Sequence, residues 1–97
     1  MAEKLNENVV FVSNKPEKHA KDYAFAILTQ LAKHNEVIVK GRGKAISRVF
    51  DATEIVGNIL AKGIEYKKIT PSTEQIETDD KERPMRVTAI EVVLIKK

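Results

Sequence analysis

Val37-Ile38-Val39 sets three β-branched residues in a row with no polar residue between them. Side chains on a strand alternate between faces, so an unbroken apolar run belongs at the centre of a sheet or where both faces are shielded. Val9 to Val12 (VVFV) is a second short apolar run of β-formers. Each run leads into a stretch with apolar residues at helical spacing. Ala20, Tyr23, Ala24, Ile27, Leu28 and Leu31 recur at three- and four-residue steps and predict a first helix over about Pro16 to Lys33. Ala45, Val49, Ala52, Val56, Ile59 and Leu60 do the same for a second helix over about Lys44 to Leu60. The strands bracket the first helix, which is the pattern of an α/β fold.

The remaining elements complete the order. Ser13-Asn14-Lys15-Pro16 reads as the start of the first helix, with Ser or Asn capping and Pro in the first turn. Glu36 to Lys40 is the second strand, Ile64 to Thr70 a third, and Val87 to Ile95 a fourth. Between the last two lies a polar stretch, Pro71 to Pro84, with a turn near residues 78–81. The third and fourth strands are expected to form a hairpin whose distal half projects. The order is β-α-β-α-β-β with no repeat and no linker, so one domain over residues 1–97 is expected, with residues 1–8 and 96–97 frayed at the ends.

The second helix carries more apolar surface than one sheet requires. Ile46, Phe50 and Ile55 widen its stripe, leaving only Ser47, Asp51, Glu54 and Asn58 as a narrow polar face. Gly57 on its flank would let another backbone come close. A homodimer interface that includes Ile46, Phe50, Gly57 and Leu60 is expected, since so small a chain gains core by oligomerising.

Residues 40–48, KGRGKAISR, hold four positive charges and no negative one. A strand-helix-strand unit with parallel strands sends the segments that follow both strands out of one sheet edge. Lys15 and Lys18 would stand at one helix start. Arg42 and Lys44 would stand at the other, with Arg48 one turn on. Helix starts present unpaired N–H groups and partial positive charge, which suit phosphate oxygens. Gly41 and Gly43 leave room for a phosphate to approach or permit an unusual turn. The net charge of +3 is unevenly spread: Thr70 to Arg86 carries −2, leaving +5 on the rest. A basic body with one acidic arm attracts polyanions.

Other chemistries find little support. There is no cysteine, and His19 and His34 are the two histidines, so no metal set is assembled. GRGK is not followed by Ser or Thr as a P-loop needs, and Ser47 and Arg48 stand where a dinucleotide fingerprint needs its third glycine. No catalytic constellation emerges, so no enzyme, cofactor, metal or small-molecule substrate is expected. No apolar run approaches membrane-spanning length and no signal peptide is visible, which predicts a cytoplasmic protein. Aromatic residues make up only 5% of the chain, so base stacking is not expected to be the main binding device.

VVFVSNKP (Val9 to Pro16), EVIVKGRGKAIS (Glu36 to Ser47), DATEIVGNIL (Asp51 to Leu60) and TAIEVVLIKK (Thr88 to Lys97) together resemble the Alba family of archaeal chromatin proteins. The resemblance spans nearly the whole chain. It implies an α/β two-layer fold: a four-stranded mixed sheet with two helices on one face and a protruding hairpin, similar to the C-terminal domain of a bacterial translation initiation factor. It implies a homodimer that binds double-stranded DNA, and RNA, with little sequence preference, associates with the chromosome and compacts it. By position, Lys15, Arg42 and Lys44 would touch the nucleic-acid backbone, and Lys18, Lys40, Gly43 and Arg48 belong to the same basic region. The hairpin would be the family's arm toward the minor groove, with Lys81, Arg83 and Arg86 left to make contact among Glu74, Glu77, Asp79 and Asp80. Leu60 falls near the helix end that some members use for dimer-dimer contact along DNA. Asn14 stands where relatives carry a lysine subject to acetylation, so that switch does not carry over residue by residue. A related alternative is an RNA-binding component resembling the protein subunits of ribonuclease P, in which Tyr23 and the arm would serve RNA. On its apolar stripe, Tyr23 reads as a core residue.

Overall fold

Burial sorts the two apolar runs by alternation. Val10, Val12, Val37 and Val39 lie in the core, while Phe11 and Ile38 take the opposite face. The structure is a computed structural model. It describes residues 8–60, 63–76 and 85–96, with the side chains of residues 59, 60, 76 and 85 outside that description. The elements are β1 (Val9–Phe11), α1 (Ala20–Lys33), β2 (Glu36–Arg42), α2 (Ile46–Ile55), β3 (Ile64–Ile76) and β4 (Met85–Lys96). A 3-10 turn, Gly43–Ala45, enters α2, and a π-helical turn, Val56–Leu60, continues it.

The strands form one mixed sheet in the order β1-β2-β4-β3. β1 runs parallel to β2, and β4 lies antiparallel between β2 and β3. β2 is thus an interior strand, the position its unbroken apolar run indicates. Both helices cover one face, where Tyr23, Ala24, Ile27 and Leu31 of α1 and Val49 and Ala52 of α2 meet Val92 and Leu94 of β4. The predicted polar face of α2 (Ser47, Asp51, Glu54, Asn58) is exposed throughout. Tyr23 is a core residue, as its place on the stripe indicates.

Several boundaries differ from expectation: β4 runs Met85–Lys96 rather than Val87 to Ile95, α2 begins at Ile46 after the 3-10 turn, and three other shifts have a clear local reason. α1 starts at Ala20 rather than Pro16. Its cap is His19, whose backbone N–H donates to the Asp22 carboxylate at 2.8 Å, so Ser13 and Asn14 do not cap it. β2 runs on through Gly41 and Arg42, because both still face β4 partners, Ile90 and Ala89. β3 continues past Thr70 to Ile76, through Pro71. Proline is tolerated there because β3 is the sheet's edge strand and the missing N–H costs no ladder bond.

The register explains the projecting hairpin. β3 and β4 pair from Ile64↔Lys96 out to Ile76↔Met85, but β2 stops opposite Ala89. Residues 73–76 and 85–88 therefore form a two-stranded ribbon with no third strand. The turn expected near residues 78–81, and Lys81 and Arg83 with it, lie outside the described residues.

Gly41 serves packing. A Cβ placed there would collide with Val49 Cγ2 and lie 3.4 Å from the Ala45 carbonyl, so its missing side chain lets α2 settle against β2. Gly43 is different: its φ of +58° is left-handed and a Cβ would meet nothing within 4 Å, so the turn needs its backbone freedom. Replacing Gly41 by Ala is expected to destabilise the fold by roughly 1–3 kcal/mol through overpacking. Urea denaturation measures this, and combining Gly41→Ala with Val49→Ala should cost clearly less than the sum of the two single changes.

Candidate nucleic-acid interface

Parallel pairing of Phe11 with Lys40 sends the segment after β1 and the turn after β2 out of the same sheet edge. The Val12 N–H still donates to the Lys40 carbonyl at 2.8 Å, so the two chains part only beyond that point. Arg48, from the first turns of α2, then ties the two segments together. Its Nη1 donates to the Ser13 carbonyl at 3.1 Å and to the Lys15 carbonyl at 2.9 Å. Carbonyls expected to belong to a helix start are instead held by a guanidinium from a different element. Arg48 is half-buried, and these bonds give it a positioning role.

Tyr23 anchors the same segment from below. Its hydroxyl lies 2.9 Å from Ser13 Oγ, and the Ser13 N–H donates to it at 3.3 Å. Burial pushes the Tyr23 phenol up, but the Ser13 hydrogen bonds and the charges of Lys18 and Arg48 outweigh it and hold the phenol below its ordinary value. Lys18 Nζ sits 5.6 Å from the centre of the Tyr23 ring.

Lys15, Lys18 and Lys44 are exposed along this edge. Lys40 and Arg42 alternate with Val39, which is buried, and Gly41, which faces Val49 of α2, so they stand on the sheet face that the helices leave open. Each has an acidic neighbour there. Arg42 Nη1 is 3.0 Å from Glu74 Oε1, and Lys40 Nζ is 3.8 Å from Glu91 Oε1. Pairs this exposed contribute little and exchange readily with other anions. A groove of about 480 Å³ opens between them, lined by Phe11, Ser13, Asn14, Lys40, Arg42 and Glu74 among others.

The structure thus brings Lys15, Lys18, Lys40, Arg42, Gly43 and Lys44 to one edge. Arg86 does not join them. It lies on the two-stranded ribbon opposite Gln75, and alternation from Ala89 places it on the helix side of the sheet. The anion-site argument holds at one helix start only. The start of α1 already carries the Asp22 carboxylate, whereas the first turn of α2 has no acidic residue and its entry turn has no side-chain cap. Sequence reasoning missed Phe11, which is 66% exposed beside Lys40, and it missed that Glu74 pairs with Arg42. Alternation could have found Phe11, since burying Val10 and Val12 turns it outward. The Arg42–Glu74 pair needs the β3-β4 register, which no local pattern supplies.

Comparison with known proteins points one way. A family model described as Alba matches residues 8–73. The chain is 45% identical over 94 residues to DNA/RNA-binding protein Alba 1 of Archaeoglobus fulgidus, covering 96% of this chain and 100% of that one. It is 42% identical over 91 residues to DNA/RNA-binding protein Alba of Methanoculleus marisnigri, covering 93% of this chain and 94% of that one. The solved structure of Alba from Thermoplasma volcanium superposes with a TM-score of 0.81 at 31% identity, covering 92% of this chain and 100% of that one.

The tie between Arg48 and the segment after β1 is directly testable. Arg48→Ala should raise the Tyr23 pKa, because a positive charge that favours the phenolate is lost. Ultraviolet titration in a Tyr66→Phe background reads this shift. The same change should speed hydrogen exchange of the Lys18 amide, which now bonds the Lys15 carbonyl at 3.3 Å.

Proposed function

The chain belongs to the Alba family, and on that premise we propose that it is a dimeric nucleic-acid-binding protein that coats double-stranded DNA, and also RNA, with little regard to sequence. The observation that carries this reading is the gathering of exposed Lys15, Arg42 and Lys44 on one sheet edge beside an uncapped helix start. Cations so arranged neutralise phosphates and release counterions, whatever the base order. Lys18 and Lys40 extend the strip, and Arg48 holds its two halves in register. Gly43 contributes the left-handed turn that carries Arg42 into Lys44. Association with the chromosome and compaction of DNA would follow from coating it densely. Lys81, Arg83 and Arg86 are the arm's candidate contacts.

The dimer is supported by surface left over after folding. Ile46, Phe50 and Ile55 are only partly buried against the core. Ile69 stands in register with Val92 on β4, which in turn faces Val39 on β2, and both of those are fully buried under the helices. Ile69 therefore occupies the helix side of the sheet, yet it is 47% exposed. Tyr66 on the same face is tied to α2 by its hydroxyl, 2.8 Å from Thr53 Oγ1. A Cβ at Gly57 would meet nothing within 4 Å, which leaves space for a neighbouring backbone. This α2-β3 face is proposed as the surface buried against a second copy, with Leu60, whose side chain lies outside the described residues, near its end.

Two measurements test the proposal. With about 6 phosphate contacts per dimer, the slope of log K against log salt on random duplex DNA should be roughly −5. Replacing both Arg42 and Lys44 with Ala should flatten it to roughly −2, and an unchanged slope would remove them from the interface. Glu74→Gln should act in the opposite sense, raising duplex affinity by freeing Arg42. For the dimer, Ile69→Asp should convert the protein to monomer in equilibrium sedimentation while its helical circular dichroism is kept. A wild-type protein that sediments as a monomer would overturn the assembly.

A further inference from the structure

Phe11 is the most exposed large apolar residue among the described residues. One exposed phenylalanine is by itself ordinary. Its surroundings are not. It stands at the end of the edge strand β1, on the open face of the sheet, where no helix covers it. It lines the groove at the basic edge, together with Lys40 and Arg42. Its register partner is Lys40, whose Nζ lies 5.9 Å from the ring centre. With 66% of the residue exposed, the ring still offers an open face. An aromatic face flanked by cations, within a groove that follows a basic edge, is the arrangement by which proteins hold single-stranded nucleic acid.

We propose that Phe11 is a stacking platform for an unpaired base, whose flanking phosphates are taken by Lys40 and Arg42. The proposal rests on the nucleic-acid-binding reading and adds a second substrate class to it: single-stranded segments of DNA or RNA, in addition to duplex. A base inside a duplex has both faces covered by its neighbours and cannot use the ring, whereas every unpaired base has a free face. The groove's volume of about 480 Å³ suits one such group. Its lining includes the small residues Gly41, Ser72 and Ala89. The carboxylates of Glu74 and Glu91 also face the groove, paired with Arg42 and Lys40. All four side chains are between 41% and 60% exposed, so a phosphate can take either cation from its carboxylate in water. These two pairs cancel in charge, so it is the exposed Lys15, Lys18 and Lys44 along the same edge that favour a polyanion over an apolar protein partner as the occupant.

The test uses the full chain and three probes: duplex DNA, and single strands of oligo(dT) and oligo(U) of about 12 nucleotides. Phe11→Ala should weaken both single strands about tenfold, the order of one base–aromatic stack, and leave duplex affinity within about twofold. The chain has no tryptophan, so Phe11→Trp introduces a unique reporter. Its fluorescence should be quenched by either single strand, with affinity kept, and far less by duplex. If Phe11→Ala leaves single-strand affinity unchanged while duplex binding persists, the platform is refuted and the coating function stands. If it weakens duplex and single strand alike, or shifts the sedimentation coefficient instead, Phe11 is structural or faces another copy, and the platform is again refuted. A wild-type protein that binds no probe removes the nucleic-acid reading and the platform with it.

Discussion

Two short strands hydrogen-bonded side by side in the same direction must release their chains at the same edge of a sheet, and the basic residues of this protein are arranged around that release point. The β1-β2 ladder closes with the Val12 N–H on the Lys40 carbonyl. Beyond it, the segment that carries Lys15 and Lys18 and the turn that carries Lys44 diverge. They would be free to splay, as loops do, but Arg48 bonds the carbonyls of Ser13 and Lys15 and holds the first segment beside α2. One cation is withdrawn from the surface to hold the others in place. Tyr23 supports the arrangement from the core side through Ser13.

The glycines flanking Arg42 divide two tasks. Gly41 lets α2 lie close against β2 at Val49 and Ala45, which sets the height of the helix start above the sheet. Gly43 turns the chain through a left-handed conformation so that the 3-10 turn can begin. Between them, Arg42 is held in an extended strand and faces the open side of the sheet. The basic motif is therefore part strand and part turn. It presents charge to two directions, with Lys40 and Arg42 over the open face and Lys44 at the edge.

The acidic character of the hairpin takes on meaning in the same geometry. Glu74 lies on the open face of β3, within 3.0 Å of Arg42, so the arm's first acid tempers the charge of the body. This competition is modest, because both groups are exposed to water. On the opposite side of the sheet, Ile69 and the wide stripe of α2 leave apolar surface uncovered. One face of the sheet thus carries exposed charged side chains, and the other leaves apolar surface uncovered.

Local pattern alone determined the element order, the central place of the Val37-Ile38-Val39 run, the buried stripes of both helices and the exposed polar face of α2. Each of these depends on periodicity and burial within a few residues, which the chain carries in its own spacing. The common edge for the two basic segments was also legible, because a parallel strand pair leaves no other exit. Tertiary structure decided the rest. It moved the start of α1 to Ala20, where the Asp22 carboxylate meets the His19 amide, and it gave the Ser13 and Lys15 carbonyls to Arg48. It carried β3 through Pro71, since only sheet order makes that strand an edge. It placed Glu74 on Arg42, set Arg86 apart from the basic edge and exposed Phe11 beside Lys40. These outcomes depend on pairs of residues tens of positions apart, brought into register by strand pairing, and no local sequence period encodes such distances.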